Sequence, residues 1–213
     1  MDNNNLAVHV FNKLAEDYQK KFMDVEAYHN SFDIFCESIK TPNAAILELA
    51  CGPGNITQYL LNKRPDFIIQ GTDLAENMIA LAQINNPSVE FKVLDCRAID
   101  CLSQKFDGIM CGFGLPYLSK EEAIKLILDA ANILKPDGVL YLSTMEDDYS
   151  KSGLKRGSSG DELYIYYHQA DYLTEALATN NFKIIDLQRQ DYQFPDGSKN
   201  IDLLIIAKKL GKS

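Results

Sequence analysis

Residues 46–55 read ILELACGPGN. The run opens on large apolar side chains, interrupted only by the carboxylate of Glu48. After Leu49 it collapses to Ala50, Cys51, Gly52, Pro53 and Gly54. A buried strand that ends in an acid and a nearly bare turn leaves its backbone open to close approach. Glycine serves that purpose because it has no Cβ and adopts conformations closed to other residues.

The surrounding pattern says what kind of strand this is. Upstream, Leu6, Val10, Leu14, Tyr18 and Phe22 recur every four residues with Ala7, Phe11 and Ala15 beside them, which predicts an amphipathic helix. Phe32, Phe35, Cys36 and Ile39 predict a second helix, closed by Pro42. From Ala44 the period changes. Strands are predicted at 44–49, 67–73, 89–95, 106–113 and 138–144, with helices at 56–61 and 74–82 and another starting at the Ser119–Glu122 capping box. Strand–helix alternation implies parallel strands joined by crossover helices.

The tail breaks this rhythm. Residues 182–194 and 201–209 are both strand-like, and only a short polar turn, PDGSKN, separates them. A parallel crossover needs a dozen residues or more, so the pair is predicted to be an antiparallel hairpin. The unbroken run Leu203, Leu204, Ile205 and Ile206 predicts a strand covered on both faces. The expected fold is α/β: a Rossmann-like, mostly parallel seven-stranded sheet, helices on both faces, and a C-terminal antiparallel hairpin. Residues 1–213 are expected to form one domain, divided into a helical cap (1–42), a ligand-binding core (43–145), a substrate-side loop (146–172) and a C-terminal helix with the hairpin (173–213). Within the loop, the polar, glycine- and serine-rich stretch 150–162 is expected to be mobile.

In such a sheet, ligands bind beyond the carboxyl ends of the strands. Two phosphate-binding motifs fail at the turn. A P-loop needs a lysine directly after its last glycine, and none occurs before Lys63. A dinucleotide fingerprint aligned on Ala50 and Gly52 places its third glycine at Asn55. A nucleoside without phosphate remains. Asp73 ends the second strand, where an acid can accept ribose hydroxyls, and Asp95 ends the third, where it can accept from an exocyclic amine. Three acids at successive strand ends suit a positively charged nucleoside such as a sulfonium.

Composition narrows the partners. The net charge is −9 and the isoelectric point about 4.8, which disfavours a sequence-independent grip on nucleic acid. No run of about eighteen apolar residues predicts a membrane span. The N-terminus lacks the features of a signal peptide. Cys36, Cys51, Cys96, Cys101 and Cys111 form no Cys-x-x-Cys pair, which fits reduced thiols in a cytoplasmic protein and no metal centre.

Over nearly its whole length the chain resembles the class I S-adenosylmethionine-dependent methyltransferases, in the broad small-molecule (type 11/25-like) group. LELACGPGN is similar to their acid-and-glycine motif, GTDLAENMI to the segment with the ribose acid, VLDCRAI to the adenine segment and LKPDGVLYLST to the entry of the fifth strand. The terminal hairpin matches their reversed last strand. Ala50 stands where the family has its first glycine, and alanine fits there if its φ stays negative. The resemblance implies S-adenosyl-L-methionine as cofactor. It implies that Glu48 orients the turn and the cofactor's amino group, and that Ala50, Cys51 and Gly52 line the amino acid tail. Asp73 would hold the ribose, with Leu74 and Met78 beside the adenine. Asp95 would take the adenine amine and the Cys96 N–H a ring nitrogen. Gly112 or Phe113 would offer a carbonyl near the sulfonium, and Tyr18 would close over the cofactor.

The expected activity is in-line methyl transfer to a small-molecule acceptor. Two other readings compete: a non-catalytic module that binds S-adenosylmethionine or S-adenosylhomocysteine, and a nicotinamide-dependent oxidoreductase, which the failed fingerprint and the hairpin disfavour. Methyl transfer requires no fixed catalytic residue, and the catalytic group is open, with His168 and Tyr117 as candidates. His168 precedes a helix and suits packing better. Tyr18 shares a face with Leu14 and Phe22, which fits core packing equally well. Lys155 and Arg156 could clamp an anionic acceptor, though a solvated loop explains them more simply.

Overall fold

The computed structural model describes residues 3–156, 160–193 and 199–211. Seven strands form the main sheet: β1 (Ala45–Leu49), β2 (Ile68–Asp73), β3 (Glu90–Val93), β4 (Phe106–Cys111), β5 (Leu134–Glu146), β8 (Phe182–Gln193) and β9 (Lys199–Lys209). Their order is β3-β2-β1-β4-β5-β9-β8. The first five are parallel, β9 is antiparallel to both of its neighbours, and β8 and β9 make the expected hairpin. Most of the predicted turn, residues 194–198, lies outside the described residues.

Side chains alternate across the sheet, and two cores follow. Leu47 and Leu49 of β1 join Ile109 and Leu142 under α5 (Lys120–Ile133) and α6 (Ala170–Thr179). Ile46 joins Met110 and Tyr141 under α2 (His29–Ser38) and α3 (Asn55–Lys63). Glu48 shares the parity of Ile46 and therefore faces α3, where its Oε2 accepts from the Thr57 hydroxyl at 2.5 Å. The chain winds outward from β1 to β3 and returns at β4, so the switch point of the sheet falls between the ends of β1 and β4.

Two sequence-based expectations need correction. β5 begins at Leu134 rather than 138, because Lys135–Gly138 form an irregularity inside the strand: Phe106 pairs with Leu134 and Gly108 with Val139. The expected mobile stretch 150–162 is instead ordered where it is described. A short helical turn over Tyr149–Lys151 leads into β6 (Gly153–Arg156), which pairs antiparallel with β7 (Glu162–Ile165). Residues 157–159 of that stretch lie outside the described residues. The hairpin is tied to α1 (Asn3–Phe22) by the Lys13–Asp161 ion pair at 2.8 Å and, just beyond β7, by the Asn3–Tyr166 hydrogen bond at 2.9 Å.

Candidate functional site

A cleft opens at the switch point. Its floor is the turn after β1, its near wall is the end of β2 with the start of α4 (Glu76–Asn85), and its far wall is the segment after β4. The turn is held from β2. Cys51 N donates to the Thr72 carbonyl at 2.9 Å, and Gly52 N donates to the Asp73 carboxylate at 2.9 Å. The other oxygen of Asp73 accepts from Ala75 N at 2.8 Å. This acid thus fixes both the glycine turn and the entry to α4. Burial raises its pKa, against the pull of these backbone donors.

Ala50 has φ +51°, so the expectation of a negative φ is wrong. The turn needs a left-handed residue there, and alanine carries the strain of about 1–2 kcal/mol that an L-residue meets in that region. Phe113, across the cleft, is also left-handed at φ +54°; its N–H donates to Ser143 Oγ at 2.8 Å. Strained residues of this kind persist where their surroundings over-determine them, and they cluster at functional sites.

Ten of the residues expected around a cofactor line this cleft: Tyr18, Ala50, Gly52, Asp73, Leu74, Met78, Asp95, Cys96, Gly112 and Phe113. Tyr117, expected as a catalytic candidate, lines it too. Tyr18 does both things expected of it: it packs against a small cluster of Ala15, Ala75 and Met78, and it lines the cleft. Its ring crosses over Gly52, where a Cβ would lie 3.7 Å from it, and contacts Phe11 and Phe22. Burial pushes its hydroxyl up to about 12, helped by the charge of Asp73.

Glu48 and Cys51 lie outside the lining. Cys51 is buried, and burial holds its thiol well above the usual range. Glu48 is 1% exposed, its Oε1 has no hydrogen-bond partner, and burial pushes its pKa up to about 8. A carboxyl raised in the folded state binds a proton that the unfolded chain releases near its ordinary value. Its contribution therefore destabilises the fold progressively as pH rises from about 4.5 to about 8. Glu48→Gln is expected to match wild type in urea unfolding at pH 4 and to exceed it by several kcal/mol at pH 8.5. Parallel pH profiles for the two proteins would show that Glu48 ionises normally.

His168 is not at the site. It is fully buried, its Nε2 lies 2.9 Å from the Leu115 carbonyl, its Nδ1 pairs with the Tyr172 hydroxyl, and burial lowers its pKa. It ties the approach to α6 to the segment after β4. Asp95 is at the rim, but both its oxygens accept from the guanidinium of Arg97, at 2.7 Å for the Nη2 contact. Arg97 also reaches Glu122 at 3.0 Å. Sequence reasoning missed that fork, although an arginine two residues after the acid was its signal. It also missed Phe11, whose ring meets Tyr117 at 5.0 Å, and Leu118.

The lining holds two carboxylates, from Asp73 and Asp95, and four aromatic rings, from Phe11, Tyr18, Phe113 and Tyr117. Among the described residues it holds no lysine, arginine or histidine. Such a donor set fits a cationic nucleoside with a ribose and does not fit a pyrophosphate.

Comparison with known proteins agrees with this geometry. Residues 46–138 match the family model described as a methyltransferase domain. The chain is 35% identical over 105 residues to trans-aconitate 2-methyltransferase of Variovorax paradoxus, covering 49% of this chain and 40% of that one. It is 30% identical over 149 residues to malonyl-[acyl-carrier protein] O-methyltransferase of Bacillus cereus, covering 68% and 54%. The chain thus spans about half the length of these curated relatives. Among solved structures, magnesium protoporphyrin IX methyltransferase from Synechocystis with bound S-adenosylhomocysteine superposes with a TM-score of 0.75 at 18% identity, covering 98% of this chain and all of that one.

Proposed function

We propose, from the premise that this chain belongs to the class I S-adenosylmethionine-dependent methyltransferases of the type 11/25 group, that it transfers a methyl group from S-adenosyl-L-methionine to a small-molecule acceptor. The observation that carries this reading is the cleft at the switch point, with a carboxylate-fixed glycine turn, an aromatic roof and, among the described residues, no cationic side chain in its lining.

When bound, the cofactor supplies an electrophilic methyl group on a sulfonium. The chain supplies position and dryness. Asp73 has both oxygens directed by the Gly52 and Ala75 amides, and so presents its remaining lone pairs to a ribose diol. Leu74, Met78 and the Asp95–Cys96 segment would bracket the adenine. Ala50 and Gly52 would border the amino acid tail, with the unpaired oxygen of Glu48 beneath the turn. Tyr18 would cover the cofactor, and the Gly112–Phe113 backbone would face the sulfonium. The aromatic roof excludes water, which strengthens every charge interaction inside the cleft.

A small-molecule acceptor is supported by the net charge of −9 and by the trans-aconitate in the name of one curated relative. The test is incubation of the protein with radiolabelled S-adenosyl-L-methionine and a cell extract separated into small-molecule, protein and nucleic acid fractions. Label is expected in the small-molecule fraction. Label confined to protein or nucleic acid would overturn the acceptor class.

A further inference from the structure

Among the described residues, the titratable groups lining the cleft are the acids assigned to the cofactor, the phenols of its roof and the Cys96 thiol, which burial keeps protonated. Just beyond Phe113 lies another such group. Tyr28, in the short turn between α1 and α2, packs its ring against that of Phe113 at 5.1 Å. Its hydroxyl donates to Asp202 Oδ2 at 2.7 Å. Asp202 stands on β9, paired with Met145 near the carboxyl end of β5 and with Gln190 of β8. It is 4% exposed, whereas Tyr28 is half-buried. Neither residue is among those that line the cleft; a buried acid is thus linked through a phenol to the ring of Phe113, which does line it.

The corner is rigid. Ser31 Oγ donates to the Tyr28 carbonyl at 2.8 Å and lies 3.0 Å from the Tyr141 hydroxyl. Phe113 is locked in its left-handed conformation by Ser143, on the same strand as Tyr141. The groups whose charge acts on Tyr28 are Asp202, Tyr192 and Tyr141, none of them cationic, and together with burial they raise its hydroxyl pKa. Burial likewise raises Asp202, partly offset by the Tyr28 hydrogen bond. A carboxylate with a raised pKa is a better proton sink than an exposed one.

We propose, resting on the methyltransferase reading, that the Tyr28–Asp202 pair beside Phe113 is the acceptor subsite, that it takes an amine, and that it removes the proton that frees the amine's lone pair. An ammonium there loses one proton to the Tyr28 oxygen as the Tyr28 proton passes to Asp202. The freed lone pair forms the new C–N bond as the methyl C–S bond breaks, and the C–S electron pair stays on sulfur. The product is a methylated ammonium with a protonated Asp202, which returns its proton to solvent. Positive charge persists throughout, and the acids and ring faces of this region favour it. A carboxylate acceptor would instead bring a second acidic group against Asp202.

The test uses the full chain saturated with S-adenosylhomocysteine, with benzylamine and benzoate as probes of equal size and opposite charge, titrated by ligand-observed NMR. Affinity for S-adenosylhomocysteine is measured first. If the protein does not bind it, the methyltransferase reading fails and the subsite falls with it. If it binds, wild type is expected to take benzylamine and to reject benzoate. Asp202→Asn and Tyr28→Phe are each expected to weaken benzylamine by about tenfold or more, with S-adenosylhomocysteine affinity held within about twofold. Tyr28→Phe keeps the ring against Phe113, so it serves even if Asp202→Asn fails to fold. No benzylamine binding, equal or better benzoate binding, or unchanged benzylamine affinity in a folded variant would each overturn the proposal while leaving the cofactor assignment intact.

Discussion

Asp73→Ala is expected to weaken S-adenosylhomocysteine binding by roughly 10- to 150-fold, the range set by losing charge-assisted hydrogen bonds of about 1.5–3 kcal/mol. Unlike a carboxylate that merely faces a cleft, Asp73 also holds the turn: the Gly52 and Ala75 amides both donate to it. The alanine variant is therefore expected to melt earlier as well. Asp73→Asn separates the two effects. Its side chain keeps one acceptor oxygen for a backbone amide but loses the charge offered to the ribose. It is expected to recover part of the thermal stability and little of the affinity. Calorimetric titration of both variants, alongside thermal melts, reads the two effects independently. Binding by a folded Asp73→Ala protein within about twofold of wild type would remove Asp73 from the ribose.

Ending the chain after residue 198 is expected to abolish folding. That cut removes β9, which lies between β5 and β8 and pairs with both. Leu203, Leu204, Ile205 and Ile206 are each 1% exposed or less. Full burial of such side chains stabilises by roughly 1.5–3 kcal/mol each, so the four together match the roughly 5–15 kcal/mol by which a domain is stable. Without β9 the sheet also loses β8, which among the described residues pairs with β9 alone. The truncated chain should be insoluble or melt without cooperativity. Leu204→Ala should fold but lose about 2–5 kcal/mol in urea. A soluble, cooperatively melting truncation would contradict the central place given to β9.

The features legible in the sequence were those with a local signature. The alternation of apolar strands and helices carried the parallel sheet. The short link between the last two strand-like runs carried the hairpin. Asp73 at the end of β2 and Asp95 just after β3 marked the cleft because the end of a strand is visible as a change of pattern. Other features had no local signature. The β6–β7 hairpin buries little of Leu154, Lys155 and Arg156, so no apolar alternation announced it. Ala50 takes a positive φ because the turn is pinned from β2 by Thr72 and Asp73, contacts made 21 residues away in the case of Gly52 and Asp73. Tyr28 and Asp202 meet across 174 residues, and only the placement of β9 beside β5 brings them together. His168 was a candidate whose place before a helix suited packing better, and it is indeed buried, with a bridge between Glu146 and His168 holding it in the core.

The most direct measurement is calorimetric titration of the wild-type chain with S-adenosylhomocysteine and, separately, with NADH. The cleft is lined by the Asp73 carboxylate, its turn has no third glycine, and among the described residues its lining has no cation for a pyrophosphate. Saturable binding of S-adenosylhomocysteine with no heat from NADH is the predicted result. Binding of NADH with none of S-adenosylhomocysteine would contradict the account at its centre.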